Sequence, residues 1–196
     1  MTDNLLNLLQ IFAGGFYFLN KVFLLLVYLV PNKRIKTTNI LASIVYPFGL
    51  PFWIIIFYLE KDFIALSLEL GGLFSMILSI RTSTKGKDNK TVLYEKICLY
   101  ITFFFLVFGT FSSLYTHSGI TSFTQVLEIF IVVGFLVGTY KMARQSSEVY
   151  YWFSFMNLSC ATLMLIQENP ILFGFQVCSL ICMVTGAYLS RKNKLI

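Results

Sequence analysis

Charged residues are scarce in this sequence, and no polar stretch is long enough to form a domain. Asp, Glu, Lys and Arg make up 12% of the 196 residues, whereas 57% are hydrophobic. These proportions exclude a soluble globular core, because soluble domains carry about 25% charged residues. The longest polar segment, 82–90, has the length of a loop. We therefore expect one integral membrane domain over residues 1–196, with the lipid bilayer as a partner.

Histidine is nearly absent, and cysteine occurs only inside apolar runs. His117 is the single histidine, and the cysteines are Cys98, Cys160, Cys178 and Cys182. The last two lie one helical turn apart, which permits a metal or redox pair but favours packing by small polarizable side chains. The spans contain no carboxylates at catalytic spacing and no serine beside a base. We expect no metal, no cofactor and no catalytic residue, and hence no enzyme.

Seven apolar runs fill most of the chain. Each has about 18–22 residues, enough for a helix to cross a hydrocarbon core of about 30 Å. They are 9–30, 40–58, 63–80, 92–112, 123–140, 149–166 and 171–189. The pattern predicts an all-α integral membrane protein with seven transmembrane helices. The start of the chain lacks a basic segment, so a cleavable signal peptide is not expected.

Basic residues are confined almost entirely to alternate gaps between the runs. Thirteen of the 15 lie in or beside these gaps or just after the last run, namely Lys33, Arg34, Lys36, Arg81, Lys85, Lys87, Lys90, Lys96, Lys141, Arg144, Arg191, Lys192 and Lys194. Because basic residues in short loops stay on the cytoplasmic side, we predict a multi-pass membrane protein with its N-terminus outside and its C-terminus inside. We expect its location to be a bacterial inner membrane. The same pattern accounts for the net charge of +6, so no nucleic-acid partner is expected.

The chain also indicates an internal repeat. An offset of 107 residues lays the first three runs onto the last three, and it brings Lys21 opposite Glu128 and Glu69 opposite Gln176. The fourth run has no counterpart. An odd helix between two triplets gives both triplets the same orientation, as in transporters of the SWEET type. We predict a 3+1+3 fold of parallel triplets, with a first triplet over 9–81, a linker helix over 92–112 and a second triplet over 123–191.

Lys21 and Glu128 occupy matching depths inside the first and fifth runs. A charged side chain at mid-bilayer costs about 2.5–3.5 kcal/mol, so it usually faces a partner or a wet cavity. The two side chains could pair between the triplets and form a gate. One alternative is a structural salt bridge. The other is that the aliphatic part of the Lys21 side chain lies in the membrane while its amine reaches the membrane surface.

Uncharged and acidic groups inside other spans are candidates for a solute site. Glu69 and Gln176 lie beside small residues that let helices approach closely, and we expect both to line a central cleft. For Glu69, this role is favoured over proton coupling. The amide of Asn157, midway along the sixth run, suits either a solute or a hydrogen bond to another helix. Trp53 adds an aromatic group to this site.

The second run contains two prolines four residues apart. Pro47, Gly49 and Pro51 predict a kinked helix, because each proline removes a backbone donor and clashes with the preceding turn. The kink is either a hinge for alternating access or a packing irregularity, which is equally common in membrane helices.

Two short patterns in the second triplet point to a known family. The sixth run begins with an acidic residue, spaced aromatic residues and an amide, namely Glu148, Tyr150, Phe153 and Asn157. The last run ends with Gly186, Tyr188, Arg191 and Lys192. In these patterns and in its topology the chain resembles the PnuC family of vitamin transporters, which carry nicotinamide riboside and related compounds. That family has tryptophans at the two aromatic positions of the first pattern and a further tryptophan in the second.

The resemblance implies a SWEET-like 3+1+3 fold and facilitated diffusion of an unphosphorylated vitamin, which a cytoplasmic kinase then traps. It also implies that Tyr150 and Phe153 stack on a flat base. The leading hypothesis is a transporter whose solute contacts Asn157, Gln176, Glu69, Trp53, Tyr150 and Phe153. The rival is a non-transporting subunit or assembly factor of a larger complex. Small-residue faces such as Gly71 with Ser75 also permit a homo-oligomer.

Overall fold

The computed structural model describes residues 3–60, 63–85, 89–116 and 123–194. These ranges contain seven helices and no strand. The helices are α1 (Asp3–Leu26), α2 (Asn32–Glu60), α3 (Phe63–Lys85), α4 (Asn89–Thr116), α5 (Phe123–Ala143), α6 (Val149–Ile166) and α7 (Pro170–Lys194). His117, the single histidine, lies outside the described residues.

Five of the helices are long and apolar enough to cross a membrane, judged on the described residues alone. The segments are Asn4–Leu26, Lys33–Leu59, Phe123–Ala143, Val149–Ile166 and Pro170–Lys192. A fold built from helices, several of spanning length, agrees with the predicted all-α, multi-pass membrane class.

Helix ends differ from the ends of the apolar runs. α2 covers 29 residues and begins directly after Pro31, whereas its apolar run begins at position 40. α1 ends at Leu26, and residues 27–30 form a turn before that proline. The residue before a proline disfavours helical dihedral angles, which explains the break. Hydropathy detects only the apolar centre of a helix, so it does not detect the polar residues at the start of α2.

Six helices form a closed ring in which each packs against two neighbours. In the first half of the chain α1 contacts α2 and α2 contacts α3, and in the second half α5 contacts α6 and α6 contacts α7. The halves meet where α1 contacts α7 and where α3 contacts α5. α4 lies outside the ring, against α3 and α5. The ring encloses an interior that is bounded by both halves.

Helical spacing determines which face of α1 is buried in the ring. Gln10, Ala13, Tyr17, Asn20 and Leu24 recur every three or four residues, and none is more than 5% exposed. Residues at this spacing share one face of a helix. Three of the five are polar, so this buried face offers hydrogen-bonding groups as well as packing surface.

α5 and α6 approach closely because α5 presents glycines to its neighbour. A Cβ at Gly134 would lie 2.7 Å from the Cβ of Met156, and one at Gly138 would lie 2.6 Å from the Phe153 ring. Both separations are shorter than van der Waals contact, so only glycine permits this packing. The contact fixes Phe153, which is fully buried, inside the ring.

Candidate functional site

A cavity lies inside the ring, near the turn between α6 and α7. The volume open to the centre of a water molecule is about 210 Å³. One water needs about 10–15 Å³ by this measure, so the cavity has room for a small organic solute. All six helices of the ring contribute to its wall. The polar and aromatic residues of the wall are Gln10, Tyr17, Trp53, Phe57, Glu69, Glu128, Phe135, Gln167, Asn169 and Gln176.

The wall of the cavity is acidic. Glu69 on α3 and Glu128 on α5 both line it, and no basic side chain does so among the described residues. The Tyr46 hydroxyl on α2 donates a hydrogen bond to the Glu69 carboxylate. Because Tyr46 is only 2% exposed and packs in the core, it holds that carboxylate in place. Acidic groups in an enclosed space disfavour anions and favour neutral or cationic solutes.

Aromatic and amide groups in the wall suit a flat solute with hydrogen-bonding edges. Trp53 stacks on Phe57, with ring centroids 5.2 Å apart and an interplanar angle of 12°. Nε1 of Trp53 and Oε1 of Gln176 are buried and have no hydrogen-bond partner among the described residues. A buried polar atom without a partner is costly. A solute that accepts from the indole and donates to the amide would therefore be stabilised.

The two halves of the chain contribute matched positions to the cavity. Five pairs of lining residues are related by the 107-residue offset, and they are Trp53 with Cys160, Ile56 with Leu163, Phe57 with Met164, Ala65 with Leu172, and Glu69 with Gln176. α2 and α3 thus present the same positions as α6 and α7. The cavity lies between the two halves.

Beyond the cavity, side chains of α1 and α6 meet inside the ring. The Tyr17 hydroxyl donates to Oδ1 of Asn157 at 2.9 Å. One turn further along α1, Nζ of Lys21 lies 3.2 Å from the centroid of the Phe153 ring. Lys21 is fully buried, and its Nζ has no hydrogen-bond partner within the part of the chain that the structure describes. Glu69 acts on it electrostatically, but the nearest described contacts are aromatic.

A third contact follows at the end of α1. The Tyr150 hydroxyl donates to the backbone carbonyl oxygen of Leu24 at 2.8 Å. Tyr28 packs on the same ring, with centroids 5.4 Å apart. On α7, any side chain at Gly186 would collide with Tyr150, so the glycine makes room for it. We call these three links between α1 and α6, from Tyr17 to Leu24, the α1–α6 closure.

The structure separates the sequence-predicted site residues into two layers. Trp53, Glu69, Gln176 and Glu128 lie together on the cavity wall. Asn157, Tyr150, Phe153 and Lys21 belong to the α1–α6 closure and are not among the described residues that line the cavity. Asn157 is one side chain away from the cavity, because its partner Tyr17 reaches the wall.

The proline-containing part of α2 packs against α1. α2 remains helical through Pro47, Gly49 and Pro51. A Cβ at Gly49 would lie 2.9 Å from the Cβ of Phe16, so the glycine permits close approach of the two helices. Trp53, half a turn beyond Pro51, is the nearest wall residue in this stretch of α2. A bend here would therefore move the cavity wall.

Several residues on or beside the cavity wall could not be identified as site residues from the apolar runs alone. Gln10 and Tyr17 on α1 lie two helical turns apart, and Lys21 follows one turn later, so their common face was a usable signal. Tyr46 is matched to Phe153 by the 107-residue offset, which also could have identified it. Gln167 and Asn169 lie between α6 and α7, and their position at the cavity depends on tertiary packing.

The cysteines are all free thiols, and Cys160 lies on the cavity wall. Within the described ranges, no three His, Cys, Asp or Glu residues are grouped so as to hold a metal ion. Comparison with protein-family models, with curated proteins and with solved structures gave no match for this chain.

Proposed function

We propose that this protein is a membrane transporter that facilitates diffusion of a small vitamin-like or nucleoside-like solute, of the kind represented by nicotinamide riboside. The observation that carries the proposal is the cavity inside the ring, whose wall is drawn from matched positions in both halves of the chain. A site between two repeats is the usual position for the substrate of such transporters.

The chemistry of the wall favours an unphosphorylated solute with a flat ring. Trp53 and Phe57 provide an aromatic surface, and Gln176 provides an amide edge. A phosphorylated compound would bring negative charge beside Glu69 and Glu128 without a basic partner among the described wall residues. The proposed solute is thus neutral or cationic, and phosphorylation after transport would keep it from returning.

The proposal includes seven membrane-spanning helices in a 3+1+3 arrangement, N-terminus outside, in a bacterial inner membrane. Support comes from the order of helices in the ring. α1–α3 pack as successive neighbours, and so do α5–α7, while α4 packs outside the ring against α3 and α5. The basic residues Arg81, Arg144 and Arg191 lie near one set of helix ends, as positive-inside topology requires. The cavity then lies toward the outside, and the α1–α6 closure faces the cytoplasm.

Alternating access follows from these two layers. With the closure intact, a solute in the cavity is separated from the cytoplasm by Tyr17, Lys21 and Leu24 and their partners on α6. Rocking of one triplet against the other would break two hydrogen bonds and one ring contact. Each costs on the order of 1 kcal/mol, so the barrier suits reversible opening.

Binding of solutes to the purified protein tests the proposal. We expect thermal unfolding in detergent to shift upward with one class of heterocyclic vitamin or nucleoside, because a ligand of the native state stabilises it. Trp53→Phe removes the indole N–H and should reduce the shift several-fold. Trp152→Phe is the matched control, since this second tryptophan lies off the cavity wall.

Two results would count against the proposal. One is the absence of a shift from any vitamin or nucleoside in the panel, and the other is an equal loss of binding in both tryptophan variants. The first result would favour the second candidate function, a membrane subunit or assembly factor. The exposed surface of α4 favours that alternative, because its side chains Phe103, Phe111 and Tyr115 are more than 60% exposed and could contact another subunit. Stable co-purification with other membrane proteins would support it.

A further inference from the structure

A second, larger depression lies outside the ring, between α3 and α4. Its volume open to the centre of a water molecule is about 560 Å³. The residues along most of its length are apolar and include Phe74, Ile77, Ile97 and Ile101. Three of these four side chains are more than 40% exposed. We call this depression the α3–α4 groove.

The polar groups of the groove are gathered at one end. Arg81, Thr84 and Lys85 follow the apolar residues on α3, and Tyr94 faces them from α4. The Arg81 guanidinium lies 4.7 Å from the centroid of the Tyr94 ring. Both ionisable groups of α3 in the groove are basic, and no acidic side chain lines it among the described residues. This end therefore attracts an anion.

The length of the groove corresponds to half of a bilayer. Seven residues separate Phe74 from Arg81 and eleven separate it from Lys85, which gives about 10–16 Å at 1.5 Å per residue. One leaflet of a hydrocarbon core of about 30 Å is about 15 Å thick. An amphipathic molecule with an anionic head and an apolar chain would match both the charge and the length.

We propose that the α3–α4 groove binds one phospholipid with an anionic headgroup, the phosphate at Arg81 and Lys85 and an acyl chain along Phe74, Ile77 and Ile97. The basic end lies on the side that the charge pattern assigns to the cytoplasm, where anionic lipids are available. Tyr94 sits at the level of the headgroup, as aromatic residues do at membrane interfaces. The lipid fills the space between α4 and the ring and thereby tethers α4.

Native mass spectrometry of the full-length protein tests this site. The protein would be mixed with equal amounts of phosphatidylglycerol and phosphatidylcholine that carry the same acyl chains. We expect one phosphatidylglycerol to remain bound in preference. The double variant Arg81→Gln, Lys85→Gln should bind it about 30-fold more weakly, since each basic group near the headgroup contributes about fivefold. Lys33→Gln, Arg34→Gln is the matched control, as both residues are exposed at the start of α2 and lie off the groove.

A second variant tests the acyl chain separately. Ile77 is 56% exposed, so Ile77→Trp should fold normally while it fills the apolar part of the groove. We expect it to displace the bound lipid with both basic residues in place. Equal binding of the two lipids by the wild-type protein would overturn the proposal. So would unchanged phosphatidylglycerol binding in Ile77→Trp, or a dimer in place of the lipid-bound monomer, which would assign the groove to a second copy of the chain.

Discussion

Lys21 is a basic residue that is fully buried inside the ring of helices. Its Nζ lies over the Phe153 and Tyr17 rings, and no described residue forms a hydrogen bond with it. The amine loses hydration on burial and gains the contacts with these rings and the attraction of Glu69 in return. A group retained at such a cost usually has a role beyond stability, and here it occupies the middle of the α1–α6 closure.

Replacement of Lys21 by an apolar residue of similar length should stabilise the protein. We expect Lys21→Met to raise the free energy of unfolding by about 1–3 kcal/mol, because it removes an unpaired buried polar atom but keeps the packing. The midpoint of thermal unfolding in detergent measures this. Lys36→Met is the control and should leave the midpoint nearly unchanged, since the Lys36 amine makes only an exposed hydrogen bond. A lower midpoint for Lys21→Met would mean that Nζ contributes net stability.

Single residues were predictable where they stand out against an apolar background. Glu69, Gln176, Trp53 and Glu128 were selected from the sequence because polar or large aromatic groups inside a span usually have a partner or face a cavity. The sequence does not say which layer a side chain joins. Asn157 was selected for the same reason, yet its Oδ1 accepts a hydrogen bond from the Tyr17 hydroxyl. That distinction depends on which helices are neighbours.

At the scale of helices, glycines determine how closely neighbours pack. A Cβ at Gly134 on α5 would meet the backbone and Cβ of Met156 on α6, whereas a Cβ at Gly174 would have no atom of another described helix within 4 Å. Glycine is therefore required for close helix packing at position 134 but not at position 174. In the sequence, the two glycines look alike.

Replacement of each of these glycines by alanine should have different effects on the stability of the protein. Gly134→Ala forces α5 and α6 apart, and we expect it to destabilise the protein by about 1–3 kcal/mol. Gly174→Ala adds a methyl group in open space and should be neutral or slightly stabilising, because alanine favours helix. Thermal unfolding of the two variants in the same detergent measures the difference. Equal midpoints would show that the α5–α6 contact tolerates a wider spacing.

Helix positions were predictable from the sequence to within their apolar centres, and helix ends were not. Residues 32–39 of α2 are mostly polar, so hydropathy placed the start of this helix several residues late. The break between α1 and α2 is a local consequence of Pro31 and could have been predicted from that residue alone. α2 continues as a helix through Pro47 and Pro51, where Gly49 lies close to Phe16 of α1.

At the scale of the whole molecule, the two halves of the chain close a ring around one cavity, and α4 stands outside it. The sequence suggested two halves through the 107-residue offset, and the five matched pairs of wall residues follow the same offset. It could not indicate that α1 meets α7 and α3 meets α5. These contacts create the cavity, so the site could be predicted only as a set of candidate residues.

The most direct test of the proposed function is uptake of a nicotinamide riboside-type solute by proteoliposomes that contain the purified protein. We predict saturable flux down the solute gradient, independent of ion gradients, and reduced about tenfold or more in Glu69→Gln, because a hydrogen bond to a charged group is worth about 1.5–3 kcal/mol. Glu168→Gln, off the cavity wall, should transport normally. Flux no greater than in empty liposomes, for every solute that binds the protein, would contradict the account.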